Sequence, residues 1–197
     1  MKQSNKVFQM TIISMFLAIL IIQTFVPVLG YIPLGAIDIT IVHITVILAA
    51  ILFGPKTGTI IGSSWGLLSM IRSYVQPSIT NVFFQNPLIS VLPRLLVGLL
   101  SALLFMFIRN KISERWAYSI TALVGTLLNT VLVLGSIYIF AVEAYSNATG
   151  IPETAVLGAL GTVVVTNGLI EALASMVILP LLAIPLANVL KRRNIGY

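Results

Sequence analysis

Residues 87–108 read PLISVLPRLLVGLLSALLFMFI, an apolar run of 22 residues in which Arg94 is the only charged side chain. As an α-helix this run would be about 33 Å long, which is enough to cross a hydrocarbon core of about 30 Å. The whole chain has the same character: 58% of its 197 residues are hydrophobic, 8% are charged, and the mean hydropathy is +1.09. Because soluble domains carry about 25% charged residues, the composition predicts a polytopic membrane protein.

Five further apolar runs predict a single all-α membrane domain over residues 1–197, with six transmembrane helices. Turn-forming or polar segments separate the runs, and Gly54-Pro55-Lys56-Thr57-Gly58 is a tight turn between the second and the third. The spans are predicted at 7–29, 39–54, 58–75, 87–108, 116–142 and 155–190.

The basic residues predict the orientation of the six spans. Nine of the eleven fall on one side of the membrane, and the loops on the opposite side hold none. By the positive-inside rule, both termini are therefore expected in the cytoplasm. The net charge of +6 thus reflects membrane topology and does not indicate a surface for nucleic acid. The nine residues are Lys2, Lys6, Lys56, Arg109, Lys111, Arg115, Lys191, Arg192 and Arg193.

The remaining polar residues of the spans are expected in the outer half of the bilayer. Counted along a helix from the nearest cytoplasmic basic residue, Arg94 lies about 22 Å and Asn129 about 21 Å above the inner interface. Since the inner half is almost purely apolar, the sequence predicts a pocket that opens to the outside and not a pore. The candidate substrate-binding residues are Arg94, Asn129, Asn167, Glu171, Arg72, Asp38, His43 and Tyr74.

Some of these candidates also have a purely structural interpretation. Arg72 and Arg94 could form ion pairs with Asp38 and Glu171, because charges inside a membrane must be neutralised. An arginine without such a partner could instead bind a carboxylate or phosphate through its guanidinium fork. Asn167 lies four residues before Glu171 on one helix face, where both could also hydrogen-bond to a neighbouring helix.

The sequence contains no recognisable catalytic motif. It has no Walker-type glycine loop, no GxSxG and no HExxH, and it lacks cysteine. His43 has no second histidine or cysteine with which to complete a metal site, and is more typical of a hydrogen-bonded core residue. A membrane enzyme acting on lipid would have only Asp38, His43 and Glu171 for acid–base chemistry. We therefore expect no enzymatic activity, no cofactor and no metal. Trp65 and several tyrosines fit the interfacial aromatic belt.

Two stripes of small residues predict surfaces for close helix packing. In the first span, Ser14 and Ala18 form a small-xxx-small pair, and in the third, Gly58, Gly62 and Gly66 repeat the same spacing. Both stripes are predicted to face a partner protein, because such contacts depend on backbone closeness and not on buried ion pairs.

The chain resembles, over its whole length, the substrate-binding S components of energy-coupling factor (ECF) vitamin importers. The segments that carry the resemblance are IPLGAIDITIVHITVILAAILFGPKTGTIIG, at residues 32–62, and NPLISVLPRLLVGLLSALLF, at residues 86–105. They look like the pantothenate-type members, and are also similar to the pyridoxine and hydroxymethylpyrimidine types.

This resemblance implies a high-affinity vitamin-binding subunit in the cell membrane, with its site near the outer face under the first and third outer loops. It implies partnership with a membrane T component and two cytoplasmic ATPases, which would hydrolyse the ATP. The first-span motif of the family is normally alanine–xxx–alanine, and here it reads Ser14 to Ala18.

The charge of the pocket favours pantothenate among these vitamins. Pantothenate is a carboxylate anion with hydroxyls and an amide, so its site requires a positive side chain and amide partners. A neutral pyridine or pyrimidine alcohol would not require an unpaired arginine. A stand-alone secondary carrier is the alternative of a different class, and it would require polar residues in the inner half of the membrane.

Overall fold

A computed structural model describes residues 2–26, 28–34, 37–78 and 81–192 of the chain, without the side chains of residues 2–6, 9, 32–34 and 37–39. The predicted roles of Asp38 and of the terminal basic residues Lys2, Lys6 and Arg193 therefore lie outside the described side chains. The elements are α1 (Lys2–Phe25), β1 (Tyr31–Leu34), β2 (Ile37–Thr40), α2 (Val42–Val75), a 3-10 helix (Val82–Gln85), α3 (Pro87–Ile108), α4 (Glu114–Thr149), α5 (Glu153–Val163), a π-helical segment (Val164–Gly168) and α6 (Leu169–Arg192).

The helical class is confirmed, with one exception that the sequence did not predict. β1 and β2 form an antiparallel hairpin in which Tyr31 lies opposite Thr40, between α1 and α2. The second span was predicted to begin at residue 39, but residues 37–40 are extended and the helix begins at Val42. The stretch IDIT contains β-branched residues in alternation, a pattern that favours a strand over a helix.

The chain folds back on itself in the middle of α2. Gly54 is not helical (φ 82°, ψ −177°), and a left-handed φ of this kind favours glycine. A methyl group added at Gly58 would collide with the side chain of Ala50, although eight residues of straight helix would separate the two by about 12 Å. α2 therefore consists of two helical arms, 42–53 and 55–75, that pack against each other. The turn lies where the sequence predicted the break between the second and third spans.

Four helical stretches within the described residues are long and apolar enough to cross a membrane. They are Val42–Val75, Pro87–Ile108, Glu114–Thr149 and Glu153–Arg192, and a shorter apolar helix covers Met10–Phe25. Because α2 is folded into two arms, these stretches supply six helical segments. The six-span arrangement and the cytoplasmic position of both termini stay predictions.

The glycine stripe packs inside the subunit, so its predicted role as a partner surface is wrong. Gly58, Gly62 and Gly66 are all buried. A methyl group at Gly62 would overlap the main-chain carbonyl of Arg94, and one at Gly58 would overlap that of Gly98. The sequence correctly indicated close helix approach at this stripe, but the helix that approaches is α3.

α1 lies at the edge of the helical body and packs on the α2 arms through Phe16 and Leu20, which join the cluster of Val42 and Trp65. The residues of the other stripe, Ser14 and Ala18, are exposed on the opposite face of α1. The predicted partner surface is therefore reduced to α1, where it stays a prediction.

One end of the bundle gathers the connections that matter for the site. The β-hairpin and the 3-10 helix lie there, and so does the turn between α4 and α5, where Gly150 adopts a left-handed φ of 71°. α5, the π-helical segment and α6 follow one another without a break. At the opposite end, Lys191 near the end of α6 forms an ion pair of 2.8 Å with Glu114 at the start of α4.

Candidate functional site

A cavity of about 380 Å³ lies at the end of the bundle that carries the hairpin and the 3-10 helix. One part of its wall is apolar and contains Phe83, Val133, Leu134, Ile137 and Leu160. The other part is polar and includes five of the eight substrate-binding residues predicted from the sequence. These five are Arg72, Arg94, Asn129, Asn167 and Glu171.

Arg94 lies on α3 and is 5% exposed. Its Nη1 donates a hydrogen bond of 2.6 Å to the carbonyl of Ile89, while its guanidinium carbon lies 5.2 Å from the centre of the Trp65 ring and 4.5 Å from that of Phe84. Nε has no hydrogen-bond partner among the described residues, and no described carboxylate pairs with the side chain. Aromatic faces stabilise the cation, but its charge is left available to an anion.

Arg72 lies near the end of α2 and stacks on the hairpin. Its guanidinium carbon is 3.9 Å from the centre of the Tyr31 ring, and its buried Nε has no hydrogen-bond partner in the described structure. Among the described side chains, which do not include Asp38, no carboxylate forms an ion pair with either Arg72 or Arg94. The alternative in which Arg72 or Arg94 forms an ion pair with Glu171 is therefore not found in the structure.

Glu171, near the start of α6, is 7% exposed and faces the same cavity. Its Oε1 accepts a hydrogen bond of 2.7 Å from the backbone N–H of Thr40, at the base of the hairpin. The described wall thus holds two guanidinium groups, Arg72 and Arg94, and a single Asp or Glu carboxyl group, Glu171, so its formal charge is positive. That charge complements a ligand with a single negative charge.

Both of the amides predicted from the sequence, Asn129 and Asn167, lie in the polar wall, which also includes Asn81. Asn129 on α4 is 5% exposed, and its Oδ1 has no hydrogen-bond partner in the described structure. Asn167 lies in the π-helical segment, where its Oδ1 accepts a bond of 3.3 Å from Thr166. π-helical turns are rare and often occur at functional sites. This one brings Gly168 against Thr130, so that α6 approaches α4 closely beside the cavity.

Sequence reasoning missed several residues of the cavity wall. Trp65, which we attributed to the interfacial belt, is 1% exposed and lines the cavity, and its Nε1 donates a 3.2 Å bond to the hydroxyl of Tyr31. The signal was present in its spacing, because Trp65 lies seven residues before Arg72 and therefore on the same helix face. The hairpin residues Tyr31 and Thr40 carried no such signal.

Two predicted binding residues do not line the cavity. His43 is 1% exposed within the helix packing, and neither of its ring nitrogens has a hydrogen-bond partner in the described structure. Tyr74 is 61% exposed, and its hydroxyl donates a 3.5 Å bond to the carbonyl of Gln85 outside the cavity. The depth of His43 along its helix is compatible with the site, but its side chain lies in the helix packing and does not line the cavity.

Comparisons with known proteins cover nearly the whole chain. Residues 8–183 match the family described as "ECF transporter, substrate-specific component". The chain is 36% identical over 201 residues to the "Pantothenate transporter PanT" of Leuconostoc mesenteroides subsp. mesenteroides, a match that covers 98% of each protein. It is 28% identical to the "Pantothenic acid transporter PanT" of Lactococcus lactis subsp. cremoris, over 89% of this chain and 92% of the relative. The matched region includes every polar residue of the cavity wall.

Proposed function

The chain belongs to the family of substrate-specific components of ECF transporters, and from this premise we propose that it is the pantothenate-binding subunit of an ATP-driven importer. It is a transporter component with several membrane-spanning helices, and its family is not one of enzymes. The choice of ligand rests on Arg94, which is buried at the wall of the cavity. No described carboxylate neutralises its charge.

The chemistry of pantothenate fits the two parts of the wall. Its carboxylate would bind the guanidinium of Arg94 or Arg72, and charge-assisted bonds of this kind are about twice as strong as neutral ones. Its amide and two hydroxyls would bind Asn129 and Asn167, which supply both donors and acceptors. Its geminal methyl groups would pack on the apolar part, which includes Val133.

A neutral vitamin such as pyridoxine or hydroxymethylpyrimidine fits this wall less well. It would leave the charge of Arg94 buried without a compensating anion, and an uncompensated buried charge is strongly unfavourable. Both relatives described above are named for pantothenate transport. These two facts favour pantothenate within the family.

The position of the cavity supports an outward-facing binding site. The cavity lies at the end of the bundle opposite the ion pair between Lys191 and Glu114, and the basic residues near that pair are expected to face the cytoplasm. Membership in the family supports assembly with a membrane T component and two cytoplasmic ATPases. In this proposal those partners supply the energy, and the chain supplies the specificity.

A stand-alone secondary carrier is the alternative class, and liposomes separate the two. We expect no concentrative uptake of radiolabelled pantothenate into liposomes that contain this chain alone. Uptake should begin when the T component and the ATPases are co-reconstituted with ATP on their side, and should stop when a non-hydrolysable ATP analogue replaces ATP. Sustained accumulation by the chain alone would reject the subunit proposal in favour of a carrier.

A further inference from the structure

The side chain of Glu171 accepts a hydrogen bond from the backbone of the hairpin. Its Oε1 accepts the N–H of Thr40 at 2.7 Å, which joins α6 to residues far away in the sequence. Thr40 is the last residue of β2, and both Thr40 and Glu171 line the cavity. A hydrogen bond between a carboxylate and a backbone N–H in a buried site is stronger than the same bond in water.

The hairpin carries this contact to the opposite part of the wall. Thr40 lies directly opposite Tyr31 in the antiparallel register. The hydroxyl of Tyr31 bonds to Trp65 at 3.2 Å and to Ser69 at 3.3 Å, and its ring supports the guanidinium of Arg72. The position of Thr40 therefore determines where Tyr31 can meet α2.

We infer that Glu171 is a positioning residue, which fixes the base of the hairpin through Thr40 and so places Tyr31 and Arg72 at the cavity wall. It contributes to ligand affinity through this hairpin and not by direct contact with the ligand. This inference rests on the proposed function for its effect on pantothenate, but the contact itself can be tested without any ligand.

The ligand-free test uses two readouts on the purified full chain. In Glu171→Ala, hydrogen exchange at the Thr40 amide should be about tenfold faster, because the hydrogen bond that protects this N–H is lost. Glu171→Gln keeps an acceptor oxygen and should retain most of the protection. In the Trp116→Phe background Trp65 is the only tryptophan, and its emission should change in Glu171→Ala but not in Glu171→Gln. Unchanged exchange and emission in the alanine variant would overturn the inference.

The ligand test compares the same variants by their dissociation constants for pantothenate. Glu171→Ala should weaken binding by about tenfold or more, and Glu171→Gln should restore affinity to within about threefold of the wild type. Thr40→Pro removes the backbone N–H that donates this bond. In the wild type that N–H bonds to Glu171 and not to the strand partner. Combined with Glu171→Ala, it should add little further loss.

The outcomes distinguish this inference from the proposed function. If the glutamine variant keeps the Thr40 amide protected but loses affinity, Glu171 contacts the ligand directly and the inference is wrong. Fully additive losses in the Thr40→Pro and Glu171→Ala double variant would also contradict it. If the wild-type chain binds no pantothenate, the proposed function fails, and the exchange and emission measurements still decide whether Glu171 positions the hairpin.

Discussion

Replacing Arg94 with alanine is expected to weaken pantothenate binding by at least about tenfold. The substitution removes a charge-assisted hydrogen bond worth about 1.5–3 kcal/mol, from a side chain that is 5% exposed at the cavity wall. Arg94→Lys should recover only part of the loss, because lysine keeps the charge but not the planar fork. Titration calorimetry on the detergent-solubilised variants measures each dissociation constant.

The same variant should lose much of its preference for a charged ligand. Pantothenol carries a CH₂OH group in place of the carboxylate, so the wild type should bind it more weakly than pantothenate by about tenfold or more. Arg94→Ala should show a much smaller preference, because only Arg72 then remains in the described wall to attract the carboxylate. Arg115→Ala, an exposed arginine in the first turn of α4, is the matched control and should change neither value. If Arg94→Ala retains wild-type affinity and preference, Arg94 has only a structural role.

Replacing Ala18 with tryptophan is expected to abolish assembly with the T component and, with it, ATP-driven uptake. Ala18 is exposed on α1 together with Ser14, and an indole ring there would hold two helices apart where small residues allow backbone closeness. Pantothenate binding should be unchanged, because no described residue of α1 lines the cavity. Co-purification with the tagged T component and ATPases measures assembly, and titration of the isolated chain measures binding.

A second tryptophan variant on α1 controls for bulk alone. Ile19 is 38% exposed and lies about 100° around the helix from Ala18. Ile19→Trp should assemble and transport like the wild type if the partner contacts the face that carries Ser14 and Ala18. Normal assembly of Ala18→Trp would move the docking surface away from α1.

The polar residues of the cavity could be predicted because helical rise converts sequence distance into depth. Arg94, Asn129 and Glu171 were all expected near one membrane face, and the structure brings them to one cavity. Depth does not give the direction of a side chain around the helix axis. That is why the prediction included His43, which does not line the cavity, and why it assigned Trp65, which does, to the interface.

Packing partners were harder to predict than packing surfaces. The spacing of Gly58, Gly62 and Gly66 indicates a flat helix face, but spacing alone does not identify the helix that lies on it. The hairpin was missed because an apolar stretch before a transmembrane helix has the same composition whether it is helical or extended. The π-helical segment that carries Asn167 was also missed; its last residue, Gly168, lies against Thr130 of α4.

Titration calorimetry of the wild-type chain with three vitamins is the most direct test of the central claim. The purified chain, free of partner proteins and reconstituted in lipid nanodiscs, should bind pantothenate with one site per chain. Its affinity for pantothenate should exceed that for pyridoxine or hydroxymethylpyrimidine by about a hundredfold, as expected when a buried charge is compensated only by the carboxylate of pantothenate. Equal or tighter binding of either neutral vitamin, or no heat of binding with pantothenate, would contradict the account.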